Sequence, residues 1–269
     1  MKESEKITLC FVGNPNVGKS TLINRILNSN ELETSDIPGT TKKTIKKKLI
    51  WNKNEFTFLD TAGVYKKKDL NFTKLVKATK SSEIVILVLD SSIDKLDKIH
   101  KKLAAYTLKV GKGLIVIFNK WDLVEKKKTK KKVLEKFIFN SLPQLGEKKS
   151  LFISALRDEE FTKVLKLSIE IKKLFKTKMP TSELNKWLKD TIKRNPPVKI
   201  KGREIKFKYI VQTDTNPPTF KIFSNYPGKI NNSYKRFLEK RLKINYNIDN
   251  IPVFLKFLAT KNPYQDKKK

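Results

Sequence analysis

The nine residues GNPNVGKST, positions 13–21, decide how the first half of this chain is read. They follow the apolar run ITLCFV (7–12) and lead into STLINRILN (20–28), whose apolar residues recur at helical spacing. A strand, a turn holding two of the chain's nine glycines, and a helix opening on a Lys-Ser pair give the pattern Gly13-x4-Gly18-Lys19-Ser20. Between a strand and a helix, such glycines let successive backbone N–H groups converge on an anion, and the helix N-terminus adds partial positive charge. Lys19 would then reach the terminal phosphates of a nucleotide, and the Ser20 hydroxyl would ligate Mg2+. Gly13, Asn14, Pro15, Asn16, Val17, Gly18, Lys19, Ser20 and Thr21 are the first candidate binding residues.

Three further motifs follow, each at the end of an apolar run. FLDTAGV (58–64) places Asp60 at a strand end as a ligand for a Mg2+-bound water. Gly63 comes close enough after it to sense a γ-phosphate, with Thr61, Ala62 and Val64 around it. IFNKWD (117–122) ends another run with Asn119, Lys120, Trp121 and Asp122. A carboxylate there accepts two hydrogen bonds from guanine, a donor pair adenine lacks, so adenine would leave it unpaired. ISAL (153–156) ends the next run, where Ser154, Ala155 and Leu156 can offer a backbone N–H to the guanine oxygen. Singly these motifs are weak. In this order, at strand ends, they predict a guanine-nucleotide site along one rim of a sheet.

The rest of the first half fits that sheet. ITLCFVG, FTFLDTAG, EIVILVLDSS, GLIVIFNKWD and SLFISAL are apolar throughout, as buried parallel strands are. Helical stretches such as EEFTKVLKLSIEIKKLFK (159–176) lie between or after them, predicting an α/β domain over residues 1–176. The lysine runs KKTIKKK (42–48), KKK (66–68) and KKKTKKK (126–132) fall in the expected connections. After KTKMPTSEL the pattern restarts: helix 182–194, strand 204–213, strand 218–224, helix 231–243, strand 251–258. That is a second, small α/β domain over residues 177–269.

Charge dominates the composition. Sixty Lys and Arg stand against 27 Asp and Glu, a net charge of +33, which predicts contact with a polyanion. A compositional bias toward lysine, asparagine and isoleucine is the competing source. Residues 181–269 hold 21 basic and 7 acidic side chains, the denser share. One cysteine, Cys10, and one histidine, His100, make no zinc site of Cys and His ligands. Neither a signal-peptide pattern nor an 18-residue apolar run occurs, so a cytoplasmic protein is expected.

GNPNVGKS, PGTT, DTAGV, NKWD and SAL resemble the Era/TrmE/Der group of bacterial GTPases. NPPVKIKGREIKFKYIVQT, NPPTFKIF, SYKRFLEKRLK and NPYQDKKK are similar to the last domain of the Der (EngA) family. The resemblance spans nearly the whole chain. It implies a P-loop, Ras-like GTPase domain resembling the family's second one, then a KH-like domain, where family members carry two GTPase domains. It further implies a slow GTPase acting in large (50S) ribosomal subunit assembly, with ribosomal RNA as partner, monomeric off the ribosome. Catalytic roles fall to Lys19, Thr41 and Asn16, with Ser20 and Thr41 on Mg2+ and Asn16 beside a potassium ion. Val64 stands where Ras-like enzymes carry a water-positioning glutamine, and Lys42 and Lys43 follow PGTT where relatives often continue Arg-Asp. The KH-like domain lacks the RNA-clamping GxxG, with Asn231 at its fourth position, so RNA would be held by charge through Lys235, Arg236, Lys240, Arg241 and Lys243, several of them on one helix face. Rival readings are an RNA-binding protein that no longer cycles and an Era/TrmE-type GTPase in RNA maturation.

Overall fold

The computed structural model of the protein describes residues 4–27, 33–36, 45–60, 72–142, 150–157, 161–199, 202–249 and 251–259. Two compact units divide it, Met1–Lys173 and Leu174–Lys269.

In the first unit the strands are β1 (Lys6–Val12), β2 (Glu33–Asp36), β3 (Ile45–Trp51), β4 (Asn54–Asp60), β5 (Ile84–Asp90), β6 (Gly113–Asn119) and β7 (Ser150–Phe152). They form one sheet in the order β2-β3-β4-β1-β5-β6-β7. Strands β4, β1, β5, β6 and β7 run parallel, and β3 pairs antiparallel with both β4 and β2. The helices are α1 (Lys19–Leu27), α2 (Phe72–Ser81), α3 (Lys98–Lys109), α4 (Lys127–Ser141) and α5 (Thr162–Phe175). Because successive strand residues point to opposite faces, the continuous apolar runs bury both sides of the sheet. On one face Cys10, Val12, Val85, Leu87, Val116 and Phe118 pack with Leu75 of α2, Leu103 of α3 and Leu134 and Ile138 of α4. On the other, a Cβ at Gly113 would meet Ile171 of α5 at 2.9 Å, so glycine there lets helix and sheet close up.

The five strands expected from the apolar runs are present, and β2 and β3 extend the sheet beyond them. In β3 three consecutive lysines, 46–48, mask the strand signal. The strand is held because Leu49 is fully buried, and the Lys48 ammonium meets the Glu55 carboxylate on β4 at 2.6 Å. The run 126–132 also departs from expectation: all but Lys126 lies inside α4. Lysine has good helix propensity, and Leu134 and Ile138 supply the buried stripe that anchors the helix.

The second unit has the order α6 (Thr181–Arg194), β8 (Phe207–Thr215), β9 (Pro218–Ser224), α7 (Asn232–Asn245), β10 (Phe254–Ala259). Its sheet runs β10-β9-β8, with β9–β10 parallel and β8–β9 antiparallel. Leu184, Leu188, Ile210, Phe220, Ile222, Leu238, Leu242 and Ile248 are buried. Edge strand β8 is closed by Asn185 of α6, which donates to the Ile210 carbonyl and accepts from the Ile210 N–H, both at 3.0 Å. Among the described residues no helix is long and apolar enough to cross a membrane.

Candidate functional site

The loop from Gly13 to Gly18 joins β1 to α1 in a backbone that its residue types permit. Asn16 has φ 63°, a left-handed conformation that asparagine tolerates better than most side chains. Gly18 has φ 91°, and a Cβ added to it would lie 2.2 Å from the Asn119 Nδ2. A Cβ at Gly13 would lie 2.2 Å from the Val88 carbonyl oxygen of β5. Both glycines therefore exist to let this loop lie flush on its neighbours. Lys19, 5% exposed, turns its ammonium back into the loop and donates to the carbonyls of Gly13 (3.0 Å) and Asn14 (2.7 Å). Ser20 follows it, exposed on the first turn of α1.

Asn119 closes β6 and is the hub of the site. Only 2% exposed, it donates through Nδ2 to the Val17 carbonyl (2.8 Å) and accepts at Oδ1 from the Ala155 N–H (2.9 Å). One side chain thus ties the phosphate loop to the turn after β7. Its own carbonyl accepts from the Ser91 N–H (2.9 Å) and hydroxyl (2.5 Å) at the end of β5. Lys120 adopts φ 61° and places its ammonium 2.7 Å from the Asp90 carboxylate. Burial works to raise the Asp90 carboxyl, but hydrogen bonds from Lys120 and Ser92 hold it below the usual range. A 3-10 turn, Trp121–Leu123, then directs Asp122, its start fixed by Trp121 N–H to the Ile153 carbonyl (3.2 Å) and by the indole against Phe152.

The Asp122 carboxylate is kept ionised. The Ser154 hydroxyl donates to it, and this outweighs the desolvation that would raise its pKa; Arg157, with Nε at 3.8 Å, and Lys127 add attraction. An ionised, acceptor-only group is what recognition of two N–H donors on a base edge requires. The Ala155 N–H is spent on Asn119, and the Leu156 side chain is exposed. Asp60 closes β4, in register with Phe11 and Ile45. Thr41, Thr61, Ala62, Gly63 and Val64 lie outside the described residues.

Asp90, Ser91, Asp97 and Arg157 were not picked out by the motif reading. Asp90 had a signal, since it ends the run IVILVLD at the same sheet edge as Asn119. Asp97 had none: it lies beside the phosphate loop, accepting from Asn14 Nδ2 at 2.7 Å, across 83 residues of sequence.

A glycine-rich loop between β1 and α1, an ionised carboxylate after β6 and a supporting turn after β7, on a largely parallel sheet, make a P-loop GTPase fold. Residues 8–120 match the family described as 50S ribosome-binding GTPase, and residues 178–257 match the KH-domain-like C-terminal region of EngA bacterial GTPase enzymes. Both parts of the chain thus resemble the Der (EngA) GTPases. The chain is 35% identical over 273 residues to GTPase Der of Rickettsia akari, covering 97% of this chain and 61% of that one. To GTPase Der of Chlorobium phaeobacteroides it is 34% identical over 263 residues, covering 95% and 60%. The chain therefore spans about three fifths of the length of these relatives. A solved structure of Aquifex aeolicus Era bound to GDP and aluminium fluoride aligns over 95% of this chain and 93% of its own, with TM-score 0.49 and 21% identity.

Proposed function

We propose that this protein binds and slowly hydrolyses GTP as a cytoplasmic switch in large (50S) ribosomal subunit assembly. Residues 1–176 would supply the nucleotide site and residues 177–269, with ribosomal RNA as partner, a KH-like contact domain. One observation carries the nucleotide reading: Asn119 locks the phosphate loop to the turn whose Ser154 keeps Asp122 ionised. Phosphate cradle and base reader are thereby set at a fixed spacing before any ligand arrives, which lowers the cost of ordering them on binding.

Backbone N–H groups of Asn14 to Lys19 would receive the β-phosphate, and Lys19 would exchange its two carbonyl partners for phosphate oxygens. A magnesium ion would be held by the hydroxyls of Ser20 and Thr41. An exposed serine hydroxyl beside a phosphate cradle suits this ion, which takes few protein oxygens alongside substrate phosphates. When bound, it supplies neutralisation of charge on the β- and γ-phosphates. Asp60 would orient its water shell. The Val64 side chain can neither donate nor accept, so chemistry would rest on Lys19 and Thr41, with Asn16 placed to help hold a potassium ion that would add positive charge beside the phosphates, and turnover would be slow.

Nucleotide affinity measured for GTP, ATP and XTP tests the reading. Asp122→Asn should weaken GTP by at least about tenfold and raise XTP affinity, since xanthine offers an acceptor where guanine donates. Equal native affinity for ATP and GTP would reject it. Hydrolysis in the same preparation should run faster in potassium than in sodium at equal ionic strength, and Asn16→Ala should erase the difference; identical rates would remove potassium from the account.

A further inference from the structure

Helix α4 begins against the preferences of its own electrostatics. A helix N-terminus carries partial positive charge and favours anions, yet Lys126 stands at the N-cap, Lys127, Lys128 and Lys130 follow in the first turn, and no acidic residue is there. No side chain caps it. Further on, Lys128, Lys132 and Lys136 recur at i, i+4 and i+8, a single row rising about 6 Å per step on the face away from the buried Leu134 and Ile138. All three are exposed, and like charges at this spacing repel. The lysines beside the row are engaged: Lys130 with Asp94 at 3.6 Å, and Lys131 with Glu135 at 3.9 Å and over the Phe152 ring. Among the described residues the three in the row have no ion-pair partner. Phe139, three residues past Lys136 on the same side, is 42% exposed, a large ring with no place in the core.

Each of these features costs the isolated helix something, and each becomes favourable against a polyanion. We propose that the outer face of α4, carrying Lys128, Lys132 and Lys136, is a contact surface for the phosphate backbone of structured RNA, with Phe139 covering a ribose or an unpaired base at its end. The spacing of the cations suits a backbone that follows the helix axis, and lysine on a flexible stem serves phosphate as a point charge without base selectivity. This inference rests on the reading that the chain works on ribosomal RNA. It adds to that reading a surface on the nucleotide-binding unit, apart from the nucleotide loops.

The test is RNA binding by the full chain, with Lys128, Lys132 and Lys136 all changed to Gln, across a salt series and against a panel of structured RNAs. The slope of log affinity on log salt should flatten by up to about three units, since each phosphate contact contributes about 0.9. GTP affinity should not change, and melting temperature should stay level or rise as like-charge repulsion is relieved. A parent protein that binds RNA steeply with salt, matched by a variant of the same slope, overturns the α4 surface and leaves the proposed function standing. A parent that binds no structured RNA overturns both. Loss confined to vesicles of phosphatidylcholine and phosphatidylserine, with RNA binding intact, would assign the row to membranes and likewise overturn the proposal.

Discussion

His100 is the only histidine, and it lies 1% exposed in α3 with neither ring nitrogen hydrogen-bonded among the described residues. Burial pushes its imidazole down, the nearby Asp97 carboxylate (3.6 Å) opposes, and Lys19 adds to the depression. The folded state therefore disfavours a proton that the unfolded chain accepts near pH 6.5. Stability is complete above that pH and falls as the pH drops below it, by at most about 1.4 kcal/mol per pH unit for one group. His100→Leu should flatten this segment of the profile without lowering stability at pH 8, because no hydrogen bond is lost. Chemical denaturation at several pH values checks it; an unchanged slope in the variant would mean another group dominates. Asp97 faces both His100 and Asn14 of the phosphate loop, so acidification that charges the imidazole also draws on the carboxylate that steadies the loop.

Among the elements, α7 illustrates how packing sorts the charges that one helix carries. Asn231 caps it by accepting from the Tyr234 N–H at 2.7 Å, which is the local reason asparagine stands there. Tyr234 and Phe237 belong to the packing, with the Tyr234 hydroxyl donating to the Asn195 carbonyl at 2.7 Å and its ring on Phe207. Of the five cations expected to hold RNA, Lys243 is paired with Glu239 at 2.8 Å and Lys235 lies over the Phe257 ring. Arg236, Lys240 and Arg241 remain exposed. Replacing those three by Ala should flatten the RNA salt slope by about two to three units, while replacing Lys235 and Lys243 should change it by less than one. Equal effects from the two sets, read in filter binding across salt, would show that internal pairing does not withhold charge from RNA.

For the whole molecule, the proposed switch needs the nucleotide state to alter the affinity for its RNA partner. Cosedimentation with isolated 50S subunits should retain more protein with a non-hydrolysable GTP analogue than with GDP or no nucleotide, and a coupling of 1–3 kcal/mol corresponds to about 5–150-fold in affinity. Identical retention in all three states would make the chain a constitutive RNA binder.

The glycines, Lys19, Asn119 and Asp122 were legible because each motif sits where an apolar run stops, and a run of that kind has one position in a parallel sheet. The helix–strand–strand–helix–strand order of the second unit was legible for a similar reason, through its Pro breaks and apolar periodicity. Local pattern could not reveal that β3 is a strand, since Lys48 is neutralised by a residue of the neighbouring strand. Nor could it show that the lysines of 126–132 stand on a helix, which depends on Leu134 and Ile138 finding the sheet. What the sequence by itself determined is the fold class and the order of the motifs along the sheet, because each motif is a stretch of contiguous residues at a strand end. Only the tertiary structure decided that Asn119 joins two of those parts, that Asp97 steadies the loop and that Ser154 keeps Asp122 ionised, because each of these is a contact between residues far apart in the chain.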